Sequence, residues 1–339
     1  MQDLPNVSQF IPMFRFTSSL LFLLCVSTFP VAAQPFHFNE KRAPEDLADI
    51  AEIQKALISA LGKAREATVC IDIGDGSGSG VIISEDGLVL TAAHVSTGVG
   101  KEVTVIMEDG RKLKAETLGL VADVDAAMVK ITDKGPFPFA PIDREGLSKL
   151  GDWVFSLGHS GGFDKERGSV VRLGRLVRIA NSTIQTDCSL IGGDSGGPLF
   201  DMSGNVIGIH SRVGEQLQVN MHVPLKEFIN HWDGMLRSEF IGEGPFAQKP
   251  QKGSGLLGVA TEARSAGGLK VLKVGPDTPA EKAGIKKDDI LLKLNGTSLS
   301  KREQLQDLIK EMAAGDKVEI EGLRGKMPQN FKLKLGERN

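Results

Sequence analysis

The chain has 339 residues, which at about 100–200 residues per domain allows two domains and a sizeable core. Hydrophobic residues make up 41% and charged residues 24%, a globular balance that excludes a disordered, collagen-like or polytopic membrane chain. A net charge of −3 makes no case for nucleic acid as main partner, three cysteines exclude a disulfide framework, and 40 glycines favour turns and strands over a helix bundle.

Residues 1–33 read as a secretory leader rather than as fold. Arg15 precedes the apolar run Leu20–Val26, and the small residues Val31-Ala32-Ala33 set the expected cut after Ala33. The piece starting at Met13 has the same parts. An uncleaved membrane anchor is the alternative, but the run is short for a span of about 20 residues. Cys25 lacks the small neighbours expected before a lipidated cysteine. Removing the leader leaves Cys70 and Cys188, whose pairing the sequence leaves open.

In the segment 34–66, the period of three and four in Leu47, Ile50, Ile53, Leu57, Leu61 and Ala64 predicts a helix over 44–66. Pro44 suits its first turn, and Glu45 and Asp46 suit its positive end. From 67 to 236 the pattern changes to short Val/Ile-rich runs between Gly, Asp and Ser turns. Strands are expected at Thr68–Ile73, Val81–Ile83, Leu88–Thr91, Val103–Met107, Ala126–Ile131, Trp153–Leu157, Val170–Ile179, Leu199–Phe200, Val206–His210 and Val219–Val223. Many short strands at this spacing predict a sandwich or barrel. Residues 237–254 gather Gly, Pro and Lys and read as a linker. The unit 255–338 mixes strand-like runs (Leu257–Ala260, Leu269–Val274, Ile290–Leu294, Lys317–Glu321, Phe331–Leu335) with helical ones (Pro279–Ala283, Lys301–Met312), and carries 16 basic against 12 acidic residues.

The strongest chemical signal is Gly192-Gly193-Asp194-Ser195-Gly196-Gly197-Pro198. A serine hydroxyl attacks a carbonyl only when a base takes its proton. The flanking glycines let the Gly193 and Ser195 amides face a developing oxyanion. Leu90-Thr91-Ala92-Ala93-His94-Val95 offers the base, and Asp123-Val124-Asp125 places acids before an apolar strand. His94, Asp125 and Ser195 follow one known triad order. The histidines His37, His159, His210, His222 and His231 show no metal-ligand spacing, and neither metal nor cofactor is expected.

Together these segments resemble the trypsin-like proteases, and within them the secreted HtrA/Deg type. Gly78-Ser79-Gly80-Val81, Gly151-Asp152-Trp153-Val154 and Ile184-Gln185-Thr186-Asp187 add to the match over about 68–232. The resemblance implies a mainly β fold: a double six-stranded β-barrel protease domain preceded by an amphipathic helix and followed by an α+β domain. It implies His94 as general base, Asp125 as its orienting acid (Asp123 competing) and Ser195 as nucleophile. It places Ser189 on the floor of the specificity pocket and Ile209, His210 and Ser211 on its wall, which favours small or medium apolar side chains. One departure stands out. Ile191-Gly192-Gly193-Asp194 replaces an Asn-Pro-Gly-Asn-like run. In digestive enzymes of the fold the acid before the serine pairs with a new amino terminus; no matching activation site is seen, so the partner of Asp194 is open.

The last unit resembles an HtrA-type PDZ domain. Leu256, Leu257, Gly258 and Val259 match its carboxylate-binding loop, and Pro279-Ala280-Glu281-Lys282-Ala283-Gly284-Ile285 with Asp288-Asp289-Ile290-Leu291 matches its central signature. The resemblance implies a secreted or periplasmic serine endopeptidase acting on unfolded proteins, with a groove for peptide C-termini, working as a homo-oligomer, often a trimer. Phe36 and Phe38 are offered as subunit contacts. Two alternatives remain: a catalytically silent chaperone or scaffold acting through the PDZ groove, and an unregulated trypsin-like digestive enzyme.

Overall fold

The structure is a computed structural model and describes residues 36–214, 219–249 and 251–337. The expected leader, its cut after Ala33 and Cys25 lie outside these residues.

Helix α1 (Leu47–Ala67) starts where the Asp46 carboxylate accepts the amides of Ala48 and Asp49 at 2.9 and 3.0 Å. It ends where the Thr68 hydroxyl donates to the Ala64 carbonyl at 2.8 Å. Such a cap satisfies amides the helix cannot pair itself. Ile53, Ala56, Ala64 and Ala67 are buried, and Leu57 and Leu61 pack beside them. Leu47 and Ile50, expected on the same face, are 82% and 53% exposed. The apolar period runs further toward the amino end than the surface that covers the helix. Phe36 and Phe38 stack at 4.9 Å between ring centres, with Phe38 buried.

The chain then forms β1 (Thr68–Asp72), β2 (Ser77–Ile82), β3 (Leu88–Thr91), the short α2 (Ala93–Ser96), β4 (Glu102–Ile106), β5 (Lys112–Val121) and β6 (Ala126–Ile131). These strands run in the order β5-β4-β1-β2-β3-β6, and β6 pairs back with β5, closing a six-stranded antiparallel barrel. Its interior is aliphatic: Val69, Ile71, Ile82, Val89, Val105 and Val129 are all fully buried. The sequence reading missed β5, because Lys112-Leu113-Lys114-Ala115-Glu116-Thr117 has few large apolar residues and the ladder shifts register between Thr117 and Leu120.

A second closed barrel has the order β10-β11-β12-β9-β8-β7, made of β7 (Trp153–Gly158), β8 (Val170–Ile179), β9 (Ile184–Thr186), β10 (Pro198–Asp201), β11 (Val206–Val213) and β12 (Asn220–Pro224). Helices α3 (Leu225–Asn230) and α4 (Trp232–Leu236), absent from the sequence reading, follow. Within 237–254, strand β13 (Phe240–Ile241) adds in parallel to β5 at Leu120 and Val121.

The remaining unit has β14 (Gly255–Leu256), β15 (Val259–Ala263), β16 (Leu269–Val274), α5 (Pro279–Lys282), β17 (Ile290–Leu294), β18 (Thr297–Ser298), α6 (Arg302–Lys310), β19 (Lys317–Arg324), β20 (Met327–Lys334) and β21 (Gly336–Glu337). Its sheet, β15-β16-β17-β19-β20, packs Leu269, Val271, Leu291 and Ile320 against Leu305 and Ile309 of α6.

Candidate active site

Register in the first barrel sets the position of the base. β3 pairs with β6 so that Thr91 lies opposite Ala127. His94, three residues past Thr91 on α2, thereby meets Asp125 at the mouth of β6. His94 Nδ1 lies 3.0 Å from both Asp125 carboxylate oxygens, and the His94 amide donates to Oδ1 at 3.1 Å. Asp125 is fully buried, whereas the His94 side chain is 39% exposed. A carboxylate on Nδ1 keeps the proton there and leaves Nε2 as the open base. Asp123, the competing acid, instead accepts the Glu243 amide at 3.2 Å. The Ser211 hydroxyl donates to Asp125 Oδ2 at 2.5 Å. Ser211, expected on a pocket wall, thus braces the carboxylate with its hydroxyl.

Ser195 comes from the second barrel, in the loop before β10. Its carbonyl accepts the Ser79 amide at 2.7 Å, which pins the loop to β2. A side chain added at Gly78 would meet both the Val95 methyls, at 2.6 and 2.7 Å, and the Ser195 carbonyl, at 3.0 Å, so the His94 helix and the serine loop share one floor. Ser195 Oγ donates to the Ser211 carbonyl at 3.4 Å; among the described residues no hydrogen bond joins it to His94.

Gly193 has φ +94°, and a Cβ there would stand 2.5 Å from the His159 carbonyl and 2.6 Å from the Gly161 amide. Only glycine fits such a left-handed, close-packed turn. The Gly193 carbonyl accepts the Ser79 hydroxyl at 2.8 Å and the Gly192 carbonyl accepts the Gly161 amide at 2.7 Å. Among the described residues neither the Gly193 nor the Ser195 amide donates to a protein acceptor. Both unpaired amides lie on one glycine turn beside the serine.

The residues expected at the specificity pocket lie as follows. Ile209 belongs to the shared core and has no exposed surface. His210 is also fully buried, because its Nε2 donates to the Leu157 carbonyl at 3.2 Å and its Nδ1 faces His222 Nδ1 at 2.9 Å. Both side chains are therefore closed off from solvent. Ser189, expected on the floor, is exposed. The sequence offered no sign of the His210–His222 contact, since the two residues belong to different strands. Cys70 and Cys188 are both buried and unpaired, and burial pushes each thiol up to about 11.

In the last unit, Leu256, Leu257, Gly258 and Val259 line one end of a groove of about 380 Å³, with Lys273 and Gly275 beside them and Leu305, Gln306 and Ile309 of α6 opposite. Gly258 has φ +88° and packs on Thr278.

Two closed antiparallel barrels, with a His–Asp couple on the first and a glycine-turn serine on the second, define the trypsin-like peptidase fold. A family model for the trypsin-like peptidase domain matches residues 78–209, and one for the PDZ domain matches residues 255–335. A probable periplasmic serine endoprotease, DegP-like, of Halomonas elongata is 32% identical over 269 residues, covering 77% of this chain and 56% of that protein. The putative serine protease HhoA of Synechocystis is 29% identical over 274 residues, covering 74% of this chain and 68% of that protein. The solved serine endoprotease from Yersinia pestis has 26% identity and a TM-score of 0.48 over 85% of this chain and 98% of that one. The chain thus carries a trypsin-like peptidase domain followed by one PDZ domain, and is similar to DegP-like serine endoproteases. It spans about half the length of the DegP-like relatives it matches.

Proposed function

We propose that the chain is a periplasmic or secreted serine endopeptidase that cleaves unfolded or damaged proteins, and that its PDZ groove takes extended peptide C-termini. The carrying observation is the His94–Asp125 couple, 3.0 Å on both oxygens, on one floor with a serine whose turn holds two unpaired amides. In this reading Ser195 Oγ turns from the Ser211 carbonyl toward His94, gives its proton to Nε2 and attacks the peptide carbonyl. The oxyanion takes the Gly193 and Ser195 amides. His94 returns the proton to the leaving amine, the acyl ester forms, and water releases it with His94 again as base. The chemistry asks for no cofactor. A PDZ-type groove supports the second half: an extended peptide can add beside β15 while the Gly258 loop binds its carboxylate.

Cleavage of unfolded casein by wild type and Ser195→Ala tests the reading. Peptide release and labelling by a peptidyl phosphonate are expected for wild type only. Equal release from both proteins removes Ser195 from the mechanism. The Ser195–Ser211 hydrogen bond favours a second reading, a catalytically silent chaperone acting through the groove. Suppressed aggregation of unfolded substrate with no cleavage and no phosphonate adduct would select it.

A further inference from the structure

The carboxylate beside the nucleophile has no partner in its own loop able to balance its charge. Asp194 is fully buried, and a carboxylate taken out of water without a counter-charge is strongly unfavourable. Its counter-charge comes from the side chain of Arg172, in β8, 22 residues upstream. Arg172 Nη2 lies 3.0 Å from Asp194 Oδ2 and donates to Ser160 Oγ at 2.9 Å; the Ser160 hydroxyl in turn donates to Asp194 Oδ1 at 2.6 Å. The Ile191 amide donates to Oδ2 at 2.8 Å, and the Asp194 amide returns to the Ile191 carbonyl at 3.1 Å. The carboxylate thus closes the 191–194 turn on itself and ties it to the 158–162 loop. Gly193 sits between these anchor points, with the His159 carbonyl and Gly161 amide against it. The direction of its amide follows from where the Asp194 carboxylate is held.

We propose that Arg172 is a positioning residue for the hydrolysis: acting through Asp194, it holds the turn that aims the Gly193 and Ser195 amides. The proposal rests on the reading of Ser195 as nucleophile. It implies that the charge which digestive enzymes of this fold take from a freed amino terminus is supplied here by a side chain of the second barrel.

A double-variant cycle with a peptide substrate tests it. Wild type must first cleave and Ser195→Ala must not; failure there overturns the nucleophile reading and is seen before Arg172 is touched. Arg172→Met is expected to lower kcat by about 10²–10³-fold, the effect of losing one oxyanion donor, with KM within about threefold. In an Asp194→Asn background, where no charge needs holding, the same change is expected to cost less than about threefold. A folded Arg172→Met enzyme with wild-type kcat overturns the proposal. So does an equal loss in both backgrounds, which would mean that Arg172 does not act through Asp194. Should Arg172→Met not fold, Arg172→Lys decides: kcat down by about tenfold at unchanged KM supports the proposal, whereas raised KM with unchanged kcat overturns it.

Discussion

The two barrels have the same strand number and closure but different interiors. The first is filled by Val69, Ile71, Val89, Val105 and their neighbours, and among the described residues its strands bury no histidine or carboxylate. The second buries a directed polar chain. The Leu157 carbonyl can only accept, so His210 Nε2 carries a proton and His210 Nδ1 must accept from His222 Nδ1. His222 Nε2 then accepts the Thr186 hydroxyl at 2.8 Å. Arg172, Ser160 and Asp194 form a second polar cluster in the same half. An aliphatic barrel gives a support whose packed interior, among the described residues, holds no histidine or carboxylate, and it carries His94 and Asp125 at its mouth. A polar interior specifies direction, since every donor must find its one acceptor; it stands behind the 191–195 loop.

The largest effect is expected on the first barrel's side of the site. Asp125→Asn should lower kcat by about 10⁴-fold while leaving the fold intact, because an amide there permits the wrong histidine tautomer. Steady-state kinetics against a Ser195→Ala floor measure it. A loss under about tenfold would show that Asp125 does not orient His94, and the contrast between a supporting and a presenting barrel would fail at its first member.

Next in size is the support itself. Ile71 is fully buried among aliphatic side chains, so Ile71→Ala should destabilise by about 2–5 kcal/mol through lost burial and a residual cavity. Denaturant unfolding at neutral and mildly acid pH checks this. The loss should be the same at both, since the side chains packed in the Ile71 cluster are apolar.

Most of this contrast was legible in the sequence on one side only. The aliphatic strands announced themselves by alternation, and the His94, Asp125 and Ser195 segments by glycine and turn chemistry at fixed order. β5 escaped because its inward positions are small or polar residues such as Ala115 and Thr117, which carry little periodic signal. Burial of polar groups in the second barrel was invisible for another reason. His210 and His222 are twelve residues apart on paired strands, and Arg172 and Asp194 belong to a strand and a loop that only barrel closure brings together. Ile209, which the resemblance placed on the pocket wall, has its side chain in the shared core, and strand alternation alone does not say which side of a closed barrel a residue faces.

The second barrel's interior predicts acid lability. Burial lowers His222 to about 3 and pushes His210 well below its ordinary value, with His222 beside it adding to the effect. Between about pH 6.5 and those values the unfolded chain binds protons that the folded chain does not, so stability is full above pH 6.5 and falls as pH drops. Each such histidine adds about 1.4 kcal/mol per pH unit to the slope. His222→Gln should reduce the slope of unfolding free energy against pH by about that amount between about pH 4.5 and 6. An unchanged slope would mean that the pair is not neutral in the folded state.

The finest test asks whether the barrels open separately. Each holds one buried free thiol, Cys70 in β1 and Cys188 just after β9. Both should resist labelling at neutral pH, since burial holds each thiol protonated and covered. At about pH 5 the second barrel is the one losing stability, so a disulfide reagent active in acid should reach Cys188 before Cys70, as read by mass spectrometry of the labelled peptides. His222→Gln should narrow the gap in rates. Labelling of both thiols at one common rate would mean that the barrels open as a single unit, and that the polar interior weakens the whole fold at acid pH rather than its own half.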